Sequence, residues 1–309
     1  MMKKTLFLIA MLSMVFSMQA VNRYVSTMGD DSNDGKSWTT ARATIESALY
    51  SAEVGDTVFV AAGTYNQMFS IQDGKHVFGG YDPKSGLRST EAFATVLDGT
   101  DLSKFLIVKY DKGCDNLTVI DGITLQNAAH SNEGGAGFIR QNCVVNNCII
   151  RNCVTSSSAG AFYNNGGVIS NCIIELCEAG SSGGAIYNKE GGIVEYCIIR
   201  GNKGKYGAVR NTGNSIVRNC LIHNNEASVS GWPNSGGIYN EAGEVYNNTV
   251  VCNWGSQYAG VHSNGTAYNN VFWNNKSEDG FTDPANFIGQ STTSGDNAVD
   301  FGFDGESFS

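Results

Sequence analysis

Gly183-Gly184-Ala185-Ile186-Tyr187-Asn188, a short turn, then Ile193-Val194-Glu195-Tyr196-Cys197-Ile198-Ile199-Arg200-Gly201-Asn202: this stretch decides the fold, because its neighbours repeat it. Cys197 has counterparts at Cys148, Cys172 and Cys220, and further on at Thr249 and Val271, at steps of 24, 25, 23, 29 and 22 residues. A period of that length marks a solenoid, in which one coil cannot bury its apolar face alone and neighbouring coils complete the core. Each repeat has two parts. The first is a glycine-led strand, as in Gly160-Ala161-Phe162-Tyr163-Asn164, Gly207-Ala208-Val209-Arg210-Asn211 and Gly236-Gly237-Ile238-Tyr239-Asn240; the second carries the cysteine column. Just before that column stand Asn147, Asn171, Tyr196, Asn219, Asn248 and Asn270. Asparagine tolerates left-handed backbone and its amides bond from rung to rung, so these residues have a structural explanation and are not read as a ligand site.

Composition agrees. The 309 residues include 38 glycines and only 3 prolines, and 16% are charged, which suits tight turns joined by short strands. The expected class is all-β: a right-handed, single-stranded parallel β-helix preceded by a capping α-helix. Residues 1–20 place Lys3 and Lys4 ahead of an apolar run from Leu6 to Phe16, with Ala20 at a cleavage position, the pattern of a secretory signal peptide. No second run is long enough to span a membrane. Loss of that segment, with its two lysines, takes the net charge from −9 to −11. Such an acidic chain is a poor partner for nucleic acid.

Nine cysteines in an exported chain usually suggest disulfides. Here Cys148, Cys172, Cys197 and Cys220 share one column and Cys153 and Cys177 another. Stacked side chains point the same way, which suits a reduced, buried stack better than the dihedral a bridge needs. No histidine joins the column, so no metal site and no cofactor are expected. The acidic loop Asp30 to Gly35 has calcium-loop spacing, yet position twelve is Ala41 rather than glutamate, so an Asx-rich turn is preferred.

Along the chain, Thr40 to Ala52 reads as a helix with Ala41, Ile45, Ala48, Leu49 and Ala52 on one face, closing the open end of the coil. The expected organisation is a cap over 21–65, irregular coils with a long loop from Asp82 to Ala94, clean coils over 116–275, and a tail at 276–309. The Gly-Gly-Ala-Ile motif with Ile199-Arg200-Gly201-Asn202, Ile222-His223-Asn224-Asn225 and Phe272-Trp273-Asn274-Asn275 is similar to the repeats of chlamydial polymorphic outer membrane proteins. The opening from Tyr24-Val25-Ser26 through Gly55-Asp56-Thr57 to Ala62-Gly63-Thr64-Tyr65 resembles the start of secreted bacterial proteins of the pectate-lyase-like superfamily. Together these resemblances imply a β-helix, secretion or display at a bacterial surface near the outer membrane, and a place among polysaccharide lyases, glycoside hydrolases or non-catalytic surface proteins. The membrane-barrel domain that follows the chlamydial repeats has no counterpart.

Strand alternation sorts the columns. With the cysteines inside, Ile150, Ile174, Ile199, Ile222, Val251 and Trp273 also face in, and Arg151, Glu175, Arg200, His223, Cys252 and Asn274 face out. The position directly after the cysteines reads Ile149, Ile173, Ile198, Leu221, Val250 and Phe272, and alternation points it outward. An apolar stripe of that kind needs a loop, the tail or a partner protein over it, unless the alternation slips by one around a turn.

Chemistry is harder to find. A lyase needs a basic residue and a cation-stabilised carboxylate, and the densest basic group is Arg200, Lys203, Lys205, Arg210 and Arg218. No aspartate cluster accompanies it, and solvated surface charge accounts for it. A hydrolase needs two facing carboxylates. Asp98, Asp101, Asp115 and Asp121 lie on early coils, but Asp98-Gly99 and Asp121-Gly122 are ordinary turn signals. The inserted segment Ala227 to Ser235 carries Trp232, an aromatic on a protruding loop and a candidate for a sugar ring or a partner protein. The expected role is binding or structural, towards an extracellular polysaccharide or a surface protein; the rival is a polysaccharide-degrading enzyme on the same scaffold.

Overall fold

The computed structural model describes residues 20–100 and 115–277, apart from 72, 228–234 and 257, together with the strands Leu106–Ile107, Phe287–Gly289 and Ala298–Val299. It is a parallel β-solenoid with four faces. One coil shows the plan: Ile193–Glu195 lies in the first sheet, Ile198–Arg200 in the second, Lys203–Gly204 in the third and Val209–Asn211 in the fourth. Each strand pairs in parallel with its counterparts one coil earlier and one coil later. Ile198 thus sits between Ile173 and Leu221, and Tyr187 between Tyr163 and Arg210.

The corners explain the repeat. Between the first and second sheets a single left-handed residue turns the chain: Asn147, Asn171, Tyr196, Asn219, Asn247 and Asn269, all with φ from 51° to 57°. The next residue points inward. It is Cys148, Cys172, Cys197, Cys220, then Asn248 and Asn270, all buried. A second one-residue corner follows at Asn152, Leu176, Gly201, Asn224, Cys252 and Asn274, and the inward residues behind it are Cys153, Cys177, Asn202, Asn225, Asn253 and Asn275. Two columns therefore begin as cysteine and continue as asparagine. The changeover is hydrogen-bonded, since the Cys220 N–H donates to Asn248 Oδ1 at 3.0 Å and the Cys177 N–H to Asn202 Oδ1 at 2.9 Å. A third ladder runs along the fourth sheet, Asn164 to Asn188 to Asn211 to Asn240, with amide-to-carbonyl distances of 2.8–2.9 Å. The seven buried cysteines among the described residues are unbridged. Burial pushes the Cys172, Cys177 and Cys220 thiols up, so they stay protonated and pack as small apolar groups.

This register corrects the expected columns after Cys220. Thr249 pairs with Leu221, not with the cysteines, and Val271 pairs with Thr249. Val250 and Phe272, expected outside, are fully buried beside Ile222. The cause is the pair Asn247-Asn248: the first takes the left-handed corner and the second enters the core, whereas the sequence reading assumed one asparagine followed by a cysteine equivalent. Phe272→Asp is accordingly expected to cost several kcal/mol, in line with an uncompensated charge in a packed core, while Val271→Asp leaves the melting midpoint nearly unchanged. Equal midpoints for the two variants in thermal denaturation would restore the earlier register.

The single α-helix among the described residues, α1 (Ile45–Ser51), is shorter than Thr40 to Ala52, and Trp38–Thr40 forms a separate 3-10 turn. Thr44 caps it by accepting from the Ser47 N–H. Residues 41–43 are extended instead, because the Arg42 backbone bonds to Tyr24 and Ser26. The five apolar residues are all buried, although only Ile45, Ala48 and Leu49 are helical. Asp30 and Asp34 accept from the backbone N–H two residues on, the pattern of Asx turns, while Asp31 accepts from Ala43 and Thr44 at the start of α1. The coils run past Asn275: Lys276–Ser277, Phe287–Gly289 and Ala298–Val299 pair onto the third, fourth and second sheets. These parts of the tail add a rung and do not lie over the stripe. Residues 1–19, with the signal-peptide pattern, fall outside the described residues.

Candidate functional site: an aromatic outer face

The fourth sheet positions the most distinctive surface. Its strands follow glycine-led corners in which backbone packs on backbone. A Cβ on Gly184 would sit 2.5 Å from the Lys203 carbonyl carbon, and one on Gly160 would sit 2.2 Å from the Gly184 oxygen. Alternation then sends Phe162, Ile186, Val209 and Ile238 inward, with the asparagine ladder, and the residue between them outward. That outward column reads Phe138, Tyr163, Tyr187, Arg210, Tyr239, His262, one residue per rung.

The column is nearly continuous. Ring centroids lie 5.3 Å apart for Phe138 and Tyr163, 5.2 Å for Tyr163 and Tyr187, and 5.1 Å for Tyr239 and His262. These distances are close to the spacing of adjacent strands. Arg210 fills the rung between the tyrosines, its guanidinium 4.8 Å from the rings of both Tyr187 and Tyr206, and Tyr206 stacks on Tyr239 at 5.2 Å. Lys189 lies over Tyr163 at 5.7 Å and Lys205 over Tyr206 at 5.4 Å. The middle is half-buried at Tyr163, Tyr187, Tyr206 and Arg210, whereas Phe138, Tyr239 and His262 are 9%, 7% and 3% exposed. Burial raises the Tyr163 and Tyr239 hydroxyls and lowers His262, so all three are neutral near pH 7. Two acids of this face are already engaged: Glu241 by Arg210 at 2.7 Å and Glu190 by Lys189 at 3.7 Å. The half-buried rings of Tyr163, Tyr187 and Tyr206, with Lys189, Lys205 and Arg210 among them, offer stacking and charged hydrogen bonds to a ligand laid across the middle of the column.

The basic residues singled out in the sequence do not form one patch. Arg200 lies on the second sheet, Lys203 on the third, Arg210 on the fourth and Arg218 on the first, so a run contiguous in sequence encircles the coil. Four of the five are paired one rung away: Arg200 with Glu175 and Arg218 with Glu195 at 2.6 Å, Lys203 with Glu226 and Arg210 with Glu241 at 2.7 Å. Only Arg210 and Lys205 join the aromatic face. Trp232 lies outside the described residues, in a segment that leads directly into Ser235 and the fourth-sheet strand Ile238–Asn240. Of the expected stripe, Ile149, Ile173, Ile198 and Leu221 do face outward on the second sheet, and Thr249 and Val271 complete their column. Of the early aspartates, Asp98 and Asp121 are also occupied, and Asp115 is exposed. Thr100, Gln126 and Asn127 hold Asp98 well below the usual carboxylate range, and Asp121 pairs with Arg88. Asp101 lies outside the described residues.

The aromatic column was present in the sequence as a tyrosine before each ladder asparagine, in Tyr163-Asn164, Tyr187-Asn188 and Tyr239-Asn240. Arg210 interrupts the pattern, so the outward side of the glycine-led strand has no unbroken period in the sequence.

No family model and no curated protein sequence matches the chain. Two solved structures are similar. Pectate lyase Pel9A aligns with a TM-score of 0.51 at 14% identity, over 82% of this chain and 71% of the other. XylC, solved in complex with xylose, aligns with a TM-score of 0.43 at 11% identity, over 82% of this chain and 63% of the other. At such identities the likeness to the pectate lyase is one of fold alone. Among the described residues, no helix is long and apolar enough to cross a membrane.

Proposed function

We propose that this is a secreted or cell-surface bacterial β-helix protein that binds extracellular polysaccharide through the outer face of its fourth sheet, in an adhesin-like or structural role without catalysis. The observation that carries the reading is the half-buried middle of the column, Tyr163, Tyr187 and Arg210 on successive rungs with Tyr206 against Arg210. A repeating surface of this kind fits a repeating polymer, and half-buried rings supply contact area at little entropic cost. Regular ladders and engaged carboxylates favour binding over acid–base chemistry, since catalytic groups usually break local rules. The coil is taken as right-handed, the hand favoured for parallel crossovers. In this reading residues 1–20 direct export, and α1, which packs on the first strands of the first sheet, closes the amino-terminal end. The test is a panel of neutral and uronic-acid polysaccharides offered to the mature chain. Binding to a polysaccharide without new reducing ends or unsaturated products is expected. Product formation would replace the reading with a lyase or hydrolase, and no binding at all would remove it.

A further inference from the structure

The loop from Asp82 to Ala94 has no part in the aromatic face. It lies across the corner between the first and second sheets and is pinned there. Arg88 donates to the Gly79 carbonyl at 2.9 Å and pairs with Asp121, which Asn146 also binds, and the Ser89 N–H donates to Gly80. The corner is shaped to receive it. Where later coils carry asparagine, this one has Gly122 at φ 70°, and a Cβ there would stand 2.5 Å from the Thr90 methyl. Between the pinned loop and the second sheet lies a groove of about 220 Å3.

Its chemistry is mixed. Ile149 and Ile173, the first rungs of the outward stripe, form an apolar floor; Asn147 and Asn171 form the corner wall, and Thr90 and Glu91 the loop wall. The Asn147 amide reaches Thr90 Oγ1 at 3.4 Å, and the Asn171 amide donates to Asn146 Oδ1 at 2.8 Å, which fixes both side chains yet leaves acceptor capacity towards the groove. Glu91 is exposed, no cationic side chain is among the lining residues, and the Arg88 guanidinium beside Gly122 is taken up by Asp121.

We infer that this groove is a second binding site, separate from the fourth-sheet face, for one neutral sugar residue of a glycan. The isoleucines receive the C–H face of the ring, and the amides, Thr90 and Glu91 bond its hydroxyls. Glu91 repels a uronate carboxylate, the one cation at the groove's edge, Arg88, being neutralised by Asp121. The site stands independently of the fourth-sheet reading, because it shares no residue with that face.

Calorimetric titration of the mature chain with cellohexaose, xylohexaose, mannohexaose and hexagalacturonate tests the inference. At least one neutral hexasaccharide is expected to bind. Asn171→Ala is expected to weaken that binding about fivefold and Ile173→Lys at least tenfold, whereas Tyr187→Ala leaves it unchanged. Ile173→Thr, which copies Thr124 two column positions earlier, serves should the lysine variant not fold. Glu91→Lys is expected to lose neutral affinity and gain hexagalacturonate binding. Absence of neutral binding to the wild-type chain, or neutral binding that survives Asn171→Ala and Ile173→Thr in chains with native melting curves, would overturn it. Loss of the neutral signal in Tyr187→Ala would assign that binding to the fourth sheet and also overturn it.

Discussion

Asn225→Ala is expected to lower the stability of the chain by about 3–4 kcal/mol, seen as a fall of on the order of 10 °C in the far-ultraviolet dichroism melt. The side chain is 1% exposed and central to a ladder. Its Oδ1 accepts from both the backbone N–H and the amide of Asn202, at 2.9 and 3.0 Å, and its Nδ2 donates to the Ile199 carbonyl and Asn253 Oδ1, both at 2.9 Å. Truncation takes the acceptor from two donors of Asn202 and the donor from the Ile199 carbonyl, all on the preceding coil, and a donor from Asn253 Oδ1 on the following one. Each stranded group costs about 1–3 kcal/mol. Glu226→Ala, one residue along but outside, removes only a half-exposed pair with Lys203 and should barely move the midpoint. Similar midpoints for the two variants would show that the amide ladder is not what holds the coils in register.

Gly184→Val is expected to abolish native folding, with a loss of at least about 3 kcal/mol and accumulation of insoluble chain. At Gly184 a Cβ would meet the carbonyl carbon, oxygen and nitrogen of Lys203 at 2.5–2.7 Å, and these are backbone atoms of the adjoining third-sheet strand that cannot rotate away. The Gly184 N–H also donates to Gly207 at 2.6 Å, so displacement breaks the stack on both sides. Gly191 is the contrast. Its φ is 79°, but the nearest heavy atom to an added Cβ is 3.7 Å away. Gly191→Ala should cost only the left-handed strain, about 1 kcal/mol. Comparable expression and melting of the two variants would contradict the close-packed corner.

These two residues show how far the sequence could be read. A solenoid repeats its turns and core positions, so one period exposes the coil plan, the inward cysteines and the left-handed asparagines. Register within a coil is a finer matter. A one-residue shift moves every side chain to the opposite face, and at Asn247-Asn248 two asparagines with different tasks stand side by side. The length of α1 failed for a related reason: helical periodicity extended to Ala41, but backbone pairing of Arg42 with Tyr24 and Ser26 decided the local conformation. The basic cluster failed because closeness in sequence means little on a coil, where residues 200 to 218 pass all four faces. The site was legible only in part. Tyrosines before ladder asparagines were visible, but the rings are joined through Arg210, Tyr206 and Lys189, which come from different segments and have no common spacing.

The most direct test of the binding face is a titration of the polysaccharide selected from the panel against Ile173→Thr, in which the second-sheet groove is weakened, and against the same chain carrying Tyr163→Ala/Tyr187→Ala. Both tyrosines are half-buried on the outer face, so their removal leaves the ladders intact and the melting curve close to native. Aromatic anchors at the centre of an interface carry much of its binding energy, and a loss of affinity of at least tenfold is predicted on removal of both tyrosines. Unchanged affinity in a natively melting chain without them would contradict the account.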